Sequence, residues 1–341
     1  MSIQNVPLGR RKFLGGLGAA IGLSGWPSLA ISAQPTRIAL VMVGSISDGG
    51  WNQLAYEGLN DLKGQPGFKT AYVENLTQAR IPEVVRGYAD DGFDLIIGHG
   101  YEFGAALGEI APEYPGQFFF ATTFQSDASP QPNLQFADMA YTVVAYAAGA
   151  LAALSSEKKF AVGFVGGGDN PTQQSMSRAF IAGAQATVPG IKGLGIVTGH
   201  YDNPSKGKEA ALTMIGNGAD VIWHAADVTG LGALQGAAAG GVRVIGCYAN
   251  QTALAPSNMV SSFLMNLHTM ITSLGHSVAN GQFAGGKEWA PSVGEAWTPI
   301  YGEGDNATDL NTALLDDVSV KRFRQIFNDL ASGKLSTDSY R

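Results

Sequence analysis

Short apolar runs recur along this chain at spacings that nearly repeat. In the first half they begin at Arg37 (RIALVMVG), Phe68 (FKTAYVEN), Asp94 (DLIIGHG) and Gln117 (QFFFATTF). In the second they begin at Lys159 (KFAVGFVGG), Lys192 (KGLGIVTGHY), Asp220 (DVIWHAAD) and Val242 (VRVIGCYAN). The start-to-start steps are 31, 26 and 23 residues, then 33, 28 and 22. Each run has strand length, and amphipathic helical patterns fill the gaps, as at Ile81 to Asp91, Gln173 to Ala186 and Lys206 to Gly216. Strands alternating with helices give parallel sheets. The chain is therefore predicted to be α/β, with two doubly wound Rossmann-like lobes and a ligand cleft between their strand carboxyl ends.

The lobes join near Phe136–Met139, where Ala140 to Leu154 makes an apolar helix. Past Ala249, Met259 to Met265 reads as a strand and Asn266 to Asn280 as a helix, and the chain is expected to cross back to the first lobe there before returning through Gly285 to Pro299. Lobe 1 is thus 36–138 plus 251–283, and lobe 2 is 139–250 plus 284–341. The last helix, Val318 to Ala331, carries Val320, Phe323, Ile326, Phe327 and Leu330 on one face.

Residues 1–33 read as a targeting segment. Arg10-Arg11-Lys12-Phe13-Leu14 precedes an apolar stretch too short to span a membrane, with small residues at Ala30, Ser32 and Ala33 as cleavage points. The paired arginines look like a twin-arginine signal, a receptor-read address for export to the periplasm. Its removal takes three cations and no acids, moving the formal charge from −7 to −7 − 3 = −10. An acidic chain without a basic cluster is a poor partner for nucleic acid or anionic lipid. No later run reaches the length of a membrane span, and Cys247 is the only cysteine, so no internal disulfide is available.

Catalytic and cofactor motifs are missing. None of the five histidines forms H-E-x-x-H, and no Cys/His cluster suits zinc. The phosphate-loop spacing at Gly281–Lys287 follows a helix and lacks the Ser/Thr, and neither Gly98-His99-Gly100 nor Gly166-Gly167-Gly168 completes G-x-G-x-x-G. No cofactor is expected, and no nucleophile–base pair can be assembled. A set of aromatic and neutral polar residues does converge on the strand ends. Asp48, Trp51, Asn52, His99, Tyr101 and Phe124 come from the first lobe; Asn170, Met176, Asp227, Thr229, Tyr248 and Asn250 come from the second. Rings beside amides suit a flat heteroaromatic ligand, stacked and then read at its edge. A second reading stands beside this for each residue, core packing or a helix cap: Asp48 caps the helix that follows, Trp51 packs under the loop, and Phe124 and Met176 pack in the core.

Five blocks in order resemble the basic membrane protein, or PnrA-like, family of ABC-importer binding proteins. Asp48–Gly58 (DGGWNQLAYEG) matches the signature D-x-(S/G)-(F/W)-N-(Q/E)-x-A-x-x-G, and Gly98–Phe103 (GHGYEF) is similar to a G-x-G-F-x-F loop. Gly163–Gly167 with Pro171, Gly218–Ile222 with Thr229-Gly230, and Val244–Gly246 with Gln251 follow the later blocks. The resemblance covers nearly all the chain after residue 33. It implies a type I periplasmic binding fold and a soluble receptor, not an enzyme, expected to be monomeric, that closes on a small molecule and hands it to an ABC permease in the inner membrane. It also implies a purine nucleobase or nucleoside-like ligand. Where relatives read V-D-S-D-Q, this chain has Cys247–Gln251 (CYANQ), and Met265 stands where a basic residue is usual. With that acid and base gone, a free purine fits at least as well as a nucleoside. The rival readings are a ligand-dependent sensor for a membrane receptor, a riboflavin or sugar binder, and a periplasmic hydrolase.

Overall fold

The computed structural model describes residues 34–123 and 131–341. The expected twin-arginine segment, 1–33, and Phe124 lie outside these residues. Strands β1 (Thr36–Met42), β2 (Phe68–Val73), β3 (Leu95–His99), β4 (Phe118–Ala121) and β5 (Leu134–Ala137) are interleaved with helices α1 (Trp51–Lys63), α2 (Ile81–Asp90) and α3 (Gly104–Ile110). Helix α4 (Tyr141–Ser155) then leads to β6 (Ala161–Gly166), α5 (Pro171–Thr187), β7 (Lys192–Val197), α6 (Pro204–Gly216), β8 (Ala219–Ala225), α7 (Asp227–Ala239), β9 (Arg243–Tyr248) and β10 (Met259–Met265). The remaining elements are α8 (Leu267–Ala279), β11 (Glu288–Trp289), α9 (Val293–Ala296), β12 (Trp297–Ile300) and α10 (Asp317–Ala331).

Two six-stranded sheets result, ordered β11-β5-β4-β3-β1-β2 and β12-β10-β9-β8-β6-β7. Leaving out the edge strands β11 and β12, the two orders are the same doubly wound pattern, 2-1-3-4-5, counted from the start of each half. Every pairing is parallel except β10 with β12. The repeated spacing in the sequence is this repeated topology. The central strands are buried on both faces, which explains their unbroken apolar runs.

One expectation is corrected. Met259–Met265 does not return to the first sheet; it pairs in parallel with β9, Phe263 opposite Cys247, and completes the second sheet. Its counterpart in the first half is β5, Leu134–Ala137, only four residues long and too short to register as a strand in the sequence. The chain crosses back one element later. Helix α8 packs on α1, with the backbone at His268 close against Gly58, and β11 pairs with β5. Helix α4 is almost wholly buried and joins both sheets into one apolar core, from Ile38 and Leu40 through Val144 and Leu151 to Phe164 and Phe263. Among the described residues no helix is long and apolar enough to cross a membrane.

Candidate functional site

In a doubly wound sheet the loops diverge where the strand order reverses, and the crevice forms outside the strand carboxyl ends there. In the first sheet that point lies between β1 and β3, and in the second between β6 and β8. A cavity of about 290 Å³ opens at these places. Val43, Gly44, Trp51 and Asn52 enter it after β1, and His99, Gly100, Tyr101 and Glu102 at the end of β3. Asn170, Thr172 and Gln173 enter after β6, Asp227 after β8 and Tyr248 at the end of β9. Thr123, Tyr141 and the loop Gly199–Asp202 complete the lining.

Trp51 is the first residue of α1, and its ring lies on the His99 ring, with centroids 4.3 Å apart and planes 19° apart. Tyr141 and Tyr248 tilt against the same indole at 6.0 and 5.7 Å, and Trp297 packs behind both tyrosines. His99 is fully buried and both its nitrogens are engaged. The Trp51 carbonyl can only accept, so Nε2–H donates to it at 3.1 Å, and Nδ1 accepts from the Thr122 hydroxyl at 2.9 Å. That hydroxyl in turn accepts from the Gly100 amide. Burial lowers the imidazole to a pKa of about 3, so the ring is neutral. It supports the indole and orients the loop; it has no proton to trade.

Asp48 is buried but does not line the cavity. Its Oδ1 accepts from the amides of Gly50 and Gln53 at 2.9 and 3.0 Å, and its Oδ2 from the amide and the Nδ2 of Asn52, both at 2.8 Å. The carboxylate thus answers the orphan amides at the start of α1, the capping role, and fixes where Trp51 and Asn52 point. Asn52 has its Nδ2 engaged by Asp48, while its buried Oδ1 has no partner among the described residues.

The second wall differs. Asp227 opens α7 with φ 47°, and Tyr248 ends β9 with φ 69°; both are left-handed conformations that non-glycine residues rarely hold. Such strain persists where the surroundings impose it, and it gathers at binding sites. Asp227 Oδ1 is buried without a hydrogen bond among the described residues. Burial, then the nearby Asp48 and Glu102 charges, hold this carboxyl well above the usual carboxylate range. Tyr201 lies in the same wall. Its ring rests against Gly167 and Gly168, where a Cβ would come within 2.1 and 2.5 Å of it, and its hydroxyl accepts from Asn170 Nδ2 at 3.0 Å. Burial pushes its pKa up, so it stays a neutral phenol.

Of the residues singled out from sequence, Trp51, Asn52, His99, Tyr101, Asn170, Asp227 and Tyr248 share the cavity. Four others do not line it. Asp48 is turned to the α1 amides. Met176 is buried in the shared core, because its position on α5 faces inward. Thr229 is buried with its hydroxyl accepting from the Asn203 amide, and its own amide donates to the Tyr201 carbonyl, so it carries the loop that presents Tyr201. Asn250 donates to the Gly302 carbonyl and accepts from Thr252, closing a turn outside the cavity. Tyr201 and Tyr141 were missed. The signal for Tyr201 was the pair Gly167-Gly168, which makes room for a ring instead of a phosphate. His224 also belongs elsewhere: it is wholly buried in β8, its Nε2 donates to Gln251, and Gly230 leaves the space its ring occupies.

A family model described as "ABC transporter substrate-binding protein PnrA-like" matches residues 35–303. Basic membrane protein A1 of Borrelia garinii subsp. bavariensis is 25% identical over 68% of this chain and 69% of its own length. The ABC transporter nucleoside-binding protein BmpA of Lactococcus lactis subsp. cremoris is 27% identical over 71% of this chain and 74% of its own. Among solved structures, an ABC transporter solute-binding protein from Aeropyrum pernix K1 superposes with a TM-score of 0.73 at 18% identity, covering 89% of this chain and 93% of that one. The matched length, the paired doubly wound sheets and the cleft between them place this chain in the PnrA-like family of ABC transporter substrate-binding proteins.

Proposed function

We propose that the chain is the periplasmic receptor of an ABC importer, exported by the twin-arginine route, and that it binds a purine nucleobase or a nucleoside-like heterocycle by closing two lobes on it. The observation that carries this reading is the cavity itself: Trp51, Tyr101, Tyr141, Tyr201 and Tyr248 surround a space also lined by Asn52 and Asp227, each of which has a buried oxygen without a hydrogen-bond partner among the described residues. Flat rings gain from such faces, and their polar edges would satisfy such oxygens. The nucleoside-binding relative from Lactococcus supports the ligand class. A volume of about 290 Å³ stands at the small end of ligand cavities, which run from ~300 to ~1,000 Å³, and suits one or two rings better than a flavin.

The protein acts by binding, without turnover. His99, the buried imidazole of the cleft, is neutral with both nitrogens engaged, so it is not a poised base. Native mass spectrometry of the protein as purified, followed by thermal shift over bases, nucleosides, riboflavin and sugars, tests the reading. A nucleobase or nucleoside at 100 times its Kd should stabilise by about 2.7 kcal/mol. A response to sugars alone would overturn the ligand class.

A further inference from the structure

Two buried acceptors and the sign of the charge in the cleft describe the ligand. Several of the cleft's donors are already engaged: the His99 Nε2–H by Trp51, the Asn52 amide by Asp48, the Asn170 amide by Tyr201 and the Tyr141 hydroxyl by the Thr122 carbonyl. Two buried acceptors are not engaged, Asn52 Oδ1 from one wall and Asp227 Oδ1 from the other. Acids line the cavity at Glu102, Asp202 and Asp227, whereas no lysine or arginine does so among the described residues, and His200 at the rim is exposed. A carboxylate at a helix start can be fully satisfied in this fold, as Asp48 is by four N–H groups; Asp227, at the start of α7, is held in a strained backbone, lines the cavity and has an oxygen without a partner among the described residues. An acidic cleft walled by aromatic rings, with buried acceptors on both walls, favours a ligand that brings N–H donors and tolerates, or carries, positive charge.

Resting on the nucleobase reading above, we propose that Asp227 is the specificity-determining residue of the cleft and selects heterocycles whose edge presents adjacent N–H donors of the cyclic amidine or guanidine type. Two parallel N–H groups meet the two oxygens of a carboxylate in the fork geometry that gives the strongest neutral-to-charged recognition. Asn52 Oδ1 takes a further N–H from the opposite wall. A ring whose corresponding edge carries a carbonyl, or which ionises to an anion, meets carboxylate oxygen with oxygen and is rejected. Buried polar groups left unpaired are what give such a site its discrimination. Burial of Asp227 beside Asp48 and Glu102 is relieved by a donor-rich edge and aggravated by an anionic one.

The test is a matched ligand series on the full chain. Guanine presents adjacent ring and exocyclic N–H groups, hypoxanthine lacks the exocyclic amine, and xanthine has a carbonyl in its place. Calorimetry on the wild type should rank them in that order, with guanine at least tenfold tighter than xanthine. Asp227→Asn and Asp227→Gly should bring guanine and xanthine to within about threefold of each other. Glycine suits the left-handed backbone at this position, so the second variant keeps the test available if the first folds poorly. Wild-type protein that binds these rings with xanthine equal or tighter would overturn the role of Asp227 and leave the nucleobase reading standing. No binding of any nucleobase or nucleoside would overturn that reading and this inference with it. Unchanged discrimination in both variants would show that the carboxyl does not read the edge.

Discussion

Asp48 and Asp227 are the same side chain at two helix starts, one just before α1 in the loop after the first sheet's β1, the other opening α7 after the second sheet's β8. Both are buried. Asp48 is ringed by four N–H groups of its own loop, and Asp227 has an oxygen with none among the described residues. The first carboxylate is part of the fold's own hydrogen bonding; the second has an oxygen that the described residues leave unpaired. A buried carboxylate therefore says nothing about function until its partners are counted. One wall is finished by the chain and presents an indole. The other presents a carboxyl group with an oxygen that has no partner among the described residues.

The comparison can be broken first at Asp48. Replacing it by alanine strands four N–H groups at the start of α1 and should lower stability by about 3 kcal/mol in urea denaturation, and it should also loosen Trp51. An Asp48→Ala protein with wild-type stability would remove the distinction between the two acids. Trp51→Ala should leave folding largely intact and weaken nucleobase binding about tenfold or more by calorimetry, the equivalent of ~1.4 kcal/mol. Asp227→Asn should do the opposite of Asp48→Ala and stabilise the empty protein at neutral pH. Because the carboxyl is held above its ordinary range in the fold, wild-type stability falls as pH rises through that raised value, whereas asparagine has no proton to lose. The gain should be about 2–4 °C in Tm near pH 7.5 and vanish below about pH 4, where both side chains are neutral. The smallest effect is expected at Asn250, whose bonds all lie outside the cavity. Asn250→Ala should change ligand affinity by less than about twofold, within the ~0.5 kcal/mol of independent sites.

Sequence periodicity reached the architecture because parallel strands buried on both faces must be continuous apolar runs, and because the two halves repeat one layout. It failed where an element is short or its neighbour ambiguous. Leu134–Ala137 is a strand through its pairings with Phe119–Ala121 and Glu288–Trp289, and Met259–Met265 carries no mark of which sheet it joins. The site was legible for residues immediately following β1 and at the ends of β3 and β9, since topology alone aims them at the crevice. It was not legible for Tyr201, which arrives on a loop after β7 and is seated by glycines more than thirty residues earlier. Nor could the sequence separate Asp48 from Asp227. Both look like helix starts, and only the positions of the surrounding amides distinguish a cap from an open acceptor.

Helix α4 runs its apolar surface into the cores of both sheets, so the two halves share one interior. A protein built this way should melt in one cooperative calorimetric transition, not two, because neither half can lose its packing without exposing the other's. Ligand binding in the cleft would then raise that transition as a whole. The interior that fixes the halves' register is thus also what makes a small molecule at the rim detectable anywhere in the chain, from amide exchange in β7 to fluorescence of the buried Trp223.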